Sequence, residues 1–270
     1  MACMLDVIAP KPGNVHRGAD FEDATFLDFA ASAVAIAPAI GKSAHTPLGL
    51  TILNAVRATR EVTSTNTNLG IILMLAPIAA VVDSPKRETA VEELISNATE
   101  DDMRNIYEAI RLARPGGLGD VEQGDVNSAS DHPLQLREAM ELAQDRDRIA
   151  EMYATNFRQF FREIIPALVV QCREHGVIQG LIQTHVELLA AMTDTLIKRK
   201  CGAEIATEAS HRARQVTAAV GSEAWYRQLS DLDFWLRSDG NRRNPGTTAD
   251  LLTAAMFTAL YEKTVKLSFS

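Results

Sequence analysis

Apolar residues recur at helical steps almost throughout this chain, and that period leaves little room for a sheet. Within 21–40, Phe26, Phe29, Ala30, Ala33, Val34 and Ala37 fall three or four apart and share one face of a helix. The same rule runs through 47–62, 91–112, 149–172, 177–197, 203–220, 225–236 and 249–267. Alternating β-branched runs bounded by turn residues are too few to build a sheet. Helices joined by short polar breaks predict an all-α fold, a single-domain multi-helix bundle over 1–270. No Pro/Ser-rich linker marks a domain boundary, and no fixed period suggests a solenoid. The helix-poor stretch 114–133 carries Gly116, Gly117, Gly119 and Gly124, and reads as a functional loop.

Charge narrows the partners. Acids outnumber bases 35 to 27, a net charge of −8, which argues against nucleic acid but leaves room for a small anionic ligand held by local cations. Aromatics make up 6%, with no stacking stripe for single strands. Cys3, Cys172 and Cys201 are scattered, with no CxxC pair, which predicts a reducing, cytoplasmic setting. Pro10, Pro12 and Gly13 interrupt the N-terminus before any signal-peptide core, so no export is expected. The most apolar run, 69–82, contains Pro77 and falls short of the ~20 residues of a membrane span, so it reads as a buried core helix and no membrane role is expected.

Five polar segments break the pattern. They are Lys11 to His16 leading to Asp20; Thr65 to Gly70; the Gly-rich loop with Asp120 and Asp125; Asp194 with Lys198 and Arg199; and Asn244 to Asp250. The second and last place small polar residues at the start of an apolar helix, where unpaired N–H groups and the helix dipole can hold a phosphate. Asn66, Thr67, Asn68 and Gly70 form one such start; Asn244, Gly246, Thr247 and Thr248 form the other. The plainer reading is capping, with Thr247 and Asp250 spaced as a capping box. Asp20, Asp120, Asp125, Asp194 and Asp250 could share a Mg²⁺–polyphosphate, since Mg²⁺ takes one or two carboxylates plus phosphates and water. Lys11, Lys198 and Arg199 are candidate phosphate counter-charges. The two helix starts are expected to converge on one nucleoside-polyphosphate pocket. No HExxH, GxSxG, Walker A or Rossmann segment stands in its required context.

At these segments the chain resembles the triphosphoribosyl-dephospho-coenzyme A synthase family. The resemblance is carried by PKPGNV (10–15), FLDFAASA (26–33), NTNLG (66–70), DTLIKRKCG (194–202) and NPGTTADLL (244–252), in the family's order. It implies an all-α transferase that moves the triphosphoribosyl group of ATP onto the 2′-hydroxyl of 3′-dephospho-coenzyme A, releases adenine and uses Mg²⁺. On that reading Asp194 and Asp250 are metal or ribose-side carboxylates and Asp20 is the general base. Lys11, Lys198 and Arg199 pair with phosphates, which Asn66, Thr67, Asn68, Gly70, Asn244, Gly246, Thr247 and Thr248 cradle. The citrate-lyase members usually read NTHKG where this chain has Asn68 and Leu69, and other departures also fall where substrate should touch. The acceptor therefore stays open. Alternatives are a related ribosyl-phosphate transferase of methanopterin-type cofactor biosynthesis and a non-catalytic helical nucleotide-binding protein. A homodimer is compatible with the sequence, which offers no interface.

Overall fold

The structure, a computed structural model, describes residues 1–116 and 134–267. The loop acids Asp120 and Asp125 lie outside the described residues. The fold is all-α. In chain order the helices are α1 (Ala2–Ile8), α2 (Phe26–Ala35), α3 (Ala37–Ile40), α4 (Leu48–Val62), α5 (Leu69–Ala80), α6 (Arg87–Ser96), α7 (Glu100–Ala113), α8 (Leu136–Ala143), α9 (Arg148–Ala154), α10 (Ile165–His175), α11 (Val177–Ala191), α12 (Thr195–Cys201), α13 (Ala203–Ala218), α14 (Ala224–Arg237) and α15 (Gly246–Tyr261). One four-residue extended segment, Ser238–Asn241, links the last two. The chain forms two compact units: Met1–Leu27 with Glu163–Ser270, and Asp28–Arg162.

Several periodic runs break where a capping residue interrupts them. The single helix expected over 91–112 is two, α6 and α7, because Thr99 caps α7 in a capping box with Asp102. The run 177–197 splits at Asp194, whose Oδ1 accepts the Leu196 and Ile197 N–H groups at 2.9 and 3.0 Å. The run 149–172 splits at Asn156 and Phe157, both at φ +57°, and passes through a π-helical turn, Phe160–Ile164, before α10. The capping box expected between Thr247 and Asp250 does not form. Helix α15 starts earlier, at Gly246, and Asp194, the cap of α12, accepts its Thr248 N–H.

In unit 2, α5 is buried almost throughout, as expected of a core helix. Its Pro77 has no N–H, so the Leu73 carbonyl loses its helical partner. Tyr153 of α9 replaces that partner, its hydroxyl donating to the Leu73 oxygen at 2.6 Å. Helices α4 and α7 cross closely at Gly49, where a Cβ would lie 2.2 Å from the Asp102 carbonyl oxygen. Asp102 Oδ1 also accepts the Gly49 N–H at 2.8 Å, so one carboxylate serves the starts of both helices. The stretch Phe26–His45 is long and apolar enough to cross a membrane by length and composition. It is broken into α2, α3 and a 3₁₀ turn, Ser43–His45.

In unit 1, α11 to α14 bury Val186, Leu189, Ile197, Ala209, Ala213 and Leu236 in one cluster. The alanines of α13 let its neighbours approach closely. Helix α10 crosses α11 at Gly180, where a Cβ would meet the Cys172 backbone at 2.6 Å. This packing leaves the N-terminal ends of α12 and α15 side by side.

Candidate active site

Three of the five polar segments meet in unit 1. Asp194 is 2% exposed and carries the junction. Its Oδ1 caps α12, and its Oδ2 accepts both the backbone N–H and the hydroxyl of Thr248 on α15, each at 2.8 Å. Thr195 donates to the Thr247 hydroxyl at 3.2 Å. Gly246 sits where a Cβ would strike the Leu196 side chain at 2.6 Å. Burial pushes the Asp194 carboxyl up from its usual range, and the hydrogen bonds from Ile197, Thr248 and Leu196 pull it back. Two helix dipoles point their positive ends at this one carboxylate.

The N-terminal segment docks on the other side of the same junction. Gly13, at φ +76°, lies so close to Pro245 and Leu236 that a Cβ would sit 2.8 Å from the Pro245 Cδ. Its N–H donates to Asp233 Oδ1 at 2.8 Å, and Arg237 pairs with the same carboxylate at 2.9 Å. Arg237 also donates to the Asn14 carbonyl. The Asn14 side chain donates to Asn244 Oδ1 at 2.6 Å. The turn that leads into Asn244 is fixed by Arg243, which donates to the Trp235 carbonyl at 3.1 Å and lies 4.6 Å from the centre of its ring.

Lys11 is 0% exposed. Its ammonium donates to the Asp6 carbonyl and pairs with the Asp6 carboxylate at 2.9 Å. Behind it, His185 is fully buried and bonds the Pro12 carbonyl through Nε2 at 3.2 Å. A carbonyl only accepts, so Nε2 carries the hydrogen and Nδ1 is a buried acceptor without a partner. Burial first, and the nearby Lys11 charge second, pull His185 down to about 3. Asp20 Oδ1 accepts the Phe26 N–H at 2.6 Å. Asp250 lies on α15. Burial first, and the Asp6 charge second, hold the Cys3 thiol up at about 12. Lys198, Arg199 and Lys200 occupy the last turn of α12, and Lys200 reaches the Asn241 carbonyl at 3.2 Å.

The remaining segment belongs to unit 2. Asn66 Oδ1 takes the Leu69 N–H at 3.2 Å, and Thr67 shares a hydrogen bond of 2.7 Å with Ser32. Asn68, at the start of α5, accepts from Thr59 at 3.1 Å, while its Nδ2 is buried without a partner. Asp28 Oδ1 accepts from Thr63 at 2.8 Å. Within unit 1 the structure assembles Asp194, Asn244, Gly246, Thr247 and Thr248. Asn66, Thr67, Asn68 and Gly70, expected in the same pocket, belong to unit 2. The sequence reading passed over Asn14, Asp233, Arg237, Asp28 and Ser32 as individual side chains. Gly13 and Pro245, both inside the motifs, were the signal that these segments pack tightly.

Among the described residues no group of three or more His, Cys, Asp or Glu is placed to hold a metal ion. Both Asp194 oxygens already accept two donors each in a dry site, so Asp194 does not fit as a direct Mg²⁺ ligand.

The all-helical fold has a counterpart among solved structures. A crystal structure from Archaeoglobus fulgidus, provisionally named a triphosphoribosyl-dephospho-CoA synthase, matches with a TM-score of 0.68 at 22% identity. The match covers 86% of this chain and 98% of that one, and at this identity it establishes the fold. No curated protein matches the chain. The family model described as CitG, ATP:dephospho-CoA triphosphoribosyl transferase, matches residues 1–269, and the chain belongs to that family.

Proposed function

We propose that this chain transfers the triphosphoribosyl group of ATP to the 2′-hydroxyl of 3′-dephospho-CoA. The observation that carries the reading is the family match across residues 1–269, which spans all the polar segments. In this reaction the bond between C1′ and the adenine nitrogen breaks, and its electron pair leaves with adenine. The acceptor oxygen forms the new bond to C1′. The hydroxyl proton is lost and adenine gains one, so the step balances without a redox partner.

The site residues divide by what they touch. We assign Asp194 and Lys11 as positioning residues, because the first holds two helix starts and the second is committed to Asp6. Asp250 is the carboxylate offered to the ribose or to a Mg²⁺ that arrives with the triphosphate. Lys198 and Arg199 are the phosphate cations. Asn66 to Gly70, with the buried Asn68 amide at a helix start, supplies a second set of anion donors in unit 2. Asp20 is the general base. A positive charge growing on C1′ is stabilised by a fixed carboxylate more strongly in a dry site than in water. The negative charge of −8 and the free cysteines Cys3, Cys172 and Cys201 support a small-molecule enzyme of a reducing cytoplasm.

Incubation with ATP, Mg²⁺ and 3′-dephospho-CoA, read by chromatography, tests the reaction. Adenine should appear with the acceptor and not without it. Binding of ATP with no adenine under either condition would leave a nucleotide-binding protein instead.

A further inference from the structure

We propose that Asn14 Oδ1 receives a ribose hydroxyl of a substrate, with its orientation fixed by Asp23 through a relay of three asparagines. The proposal rests on the transferase reading for its substrates and on the geometry of unit 1 for the site.

The relay begins at Asp23, whose carboxylate accepts and cannot donate. Asn241 Nδ2 donates to both Asp23 oxygens, at 3.2 and 3.1 Å. With its NH₂ so used, Asn241 presents its oxygen to Asn244, whose Nδ2 donates to it at 3.2 Å. Asn244 then presents its own oxygen to Asn14, whose Nδ2 donates at 2.6 Å. An isolated asparagine amide can be turned over at no cost to the density of atoms around it. Here a flip of any one amide sets donor against donor or acceptor against acceptor, so the carboxylate fixes all three.

The chain of donors ends on Asn14 Oδ1. That oxygen is buried and accepts no hydrogen bond, on a residue only 6% exposed. A buried acceptor in this state is rare, because leaving it unmatched is costly. The backbone of Asn14 is held on both sides. The Asn14 N–H is held by the Lys11 carbonyl at 3.1 Å and its carbonyl by Arg237. A fixed, unmatched acceptor repels phosphate oxygens and suits a neutral O–H donor. Both substrates of the proposed reaction carry ribose hydroxyls. The relay takes one of the two Asn244 amide hydrogens for Asn241 and its oxygen for Asn14, which fixes the orientation of the amide. Asn244 is then a positioning residue, as are Asn241 and Asp23.

The test compares substrates that lack one hydroxyl. Adenine release is measured with ATP, 2′-deoxy-ATP and 3′-deoxy-ATP, and with an acceptor whose ribose lacks only the 3′-hydroxyl. Wild type should lose about tenfold or more in kcat/KM on one of these analogues, which identifies the ribose concerned. Asn14→Ala should show the same loss on the parent substrate and no further loss on that analogue. Asp23→Ala, an exposed change that removes the acceptor orienting Asn241, should shrink the discrimination at least threefold while Tm stays the same. A purely structural role for Asn14 would depress all substrates alike and leave the ratio intact. Equal use of every analogue by wild type, or an unchanged ratio in Asn14→Ala, overturns the proposal. Should Asn14→Ala not fold, an unchanged ratio in Asp23→Ala overturns it alone. If no adenine is released from the parent pair, the reaction fails. The same ratios, read as Kd values by calorimetry, then decide the Asn14 contact separately.

Discussion

Asp194 illustrates how one side chain can be legible as important and illegible in role. Its place beside a basic helix and a family motif marks it in the sequence, where a ligand for a cation is the natural reading of a carboxylate among phosphate-binding residues. The structure instead loads both oxygens with N–H and O–H donors from two helices. Asp194→Asn turns one of those oxygens into a donor facing other donors, at a cost of about 2–3 kcal/mol. Thermal unfolding should show a fall of roughly 5–10 °C. An unchanged Tm would contradict the bridging role.

His185 gives a prediction of opposite kind, in pH. Its pKa is about 3 in the fold against an ordinary 6.5, so the folded state holds it neutral while the unfolded chain can take up a proton. The unfolded state binds more protons between those values. The stability His185 contributes is therefore complete above 6.5 and is lost as pH falls toward 3. The slope from this one group reaches ~1.4 kcal/mol per pH unit. Urea melts at pH 7 and 5 should show wild type losing more stability than His185→Gln. Equal losses would mean the histidine is already charged when folded.

At the level of elements, the all-α fold was legible because apolar period alone decides helix against strand. The ends of the helices were not. Thr99 and Asp194 stop helices inside runs whose apolar spacing continues unbroken, and only hydrogen bonds to the backbone show the stop. The two φ-positive residues Asn156 and Phe157 are invisible in the same way, since neither is a glycine. The partnership of Asn14 with Asn244, 230 residues apart, has no local signal at all.

Helix α5 shows an element whose flaw is corrected from outside. Pro77 orphans the Leu73 carbonyl, and Tyr153 supplies the missing donor. Tyr153→Phe should destabilise unit 2 by about 1–3 kcal/mol. Pro77→Ala restores a backbone N–H at that point, so it should recover part of the loss in the Tyr153→Phe background. Denaturant melts of the four proteins in this cycle measure the coupling, and strict additivity would refute the link.

Over the whole molecule, the same device recurs in each unit: a carboxylate set between two helix starts, Asp102 on α7 and α4, Asp194 on α12 and α15. Asp102 joins helices that carry no motif, whereas Asp194 joins two that do. A ligand that engages the motif ends should therefore stabilise the fold. At a concentration one hundred times its Kd, ATP with Mg²⁺ is expected to add about 2.7 kcal/mol, visible as a rise in Tm. Asp250→Asn and Asp20→Asn should lower turnover ~10²–10⁴-fold. Neither should shift the melting of the free enzyme as far as Asp194→Asn. Near-normal turnover in either would remove that residue from the reaction.

Unit 1 is assembled from Met1–Leu27 and Glu163–Ser270, with all of unit 2 encoded between them. A ribosome adding ~5–20 residues per second delivers unit 2 complete while α1 and the PKPGNV segment still wait, on the order of ten seconds, for the helices they dock against. During that interval Lys11, Asp6 and Gly13 lack the helices that bury them, so a segment that ends buried in the finished enzyme is the one a nascent chain must keep from premature association the longest.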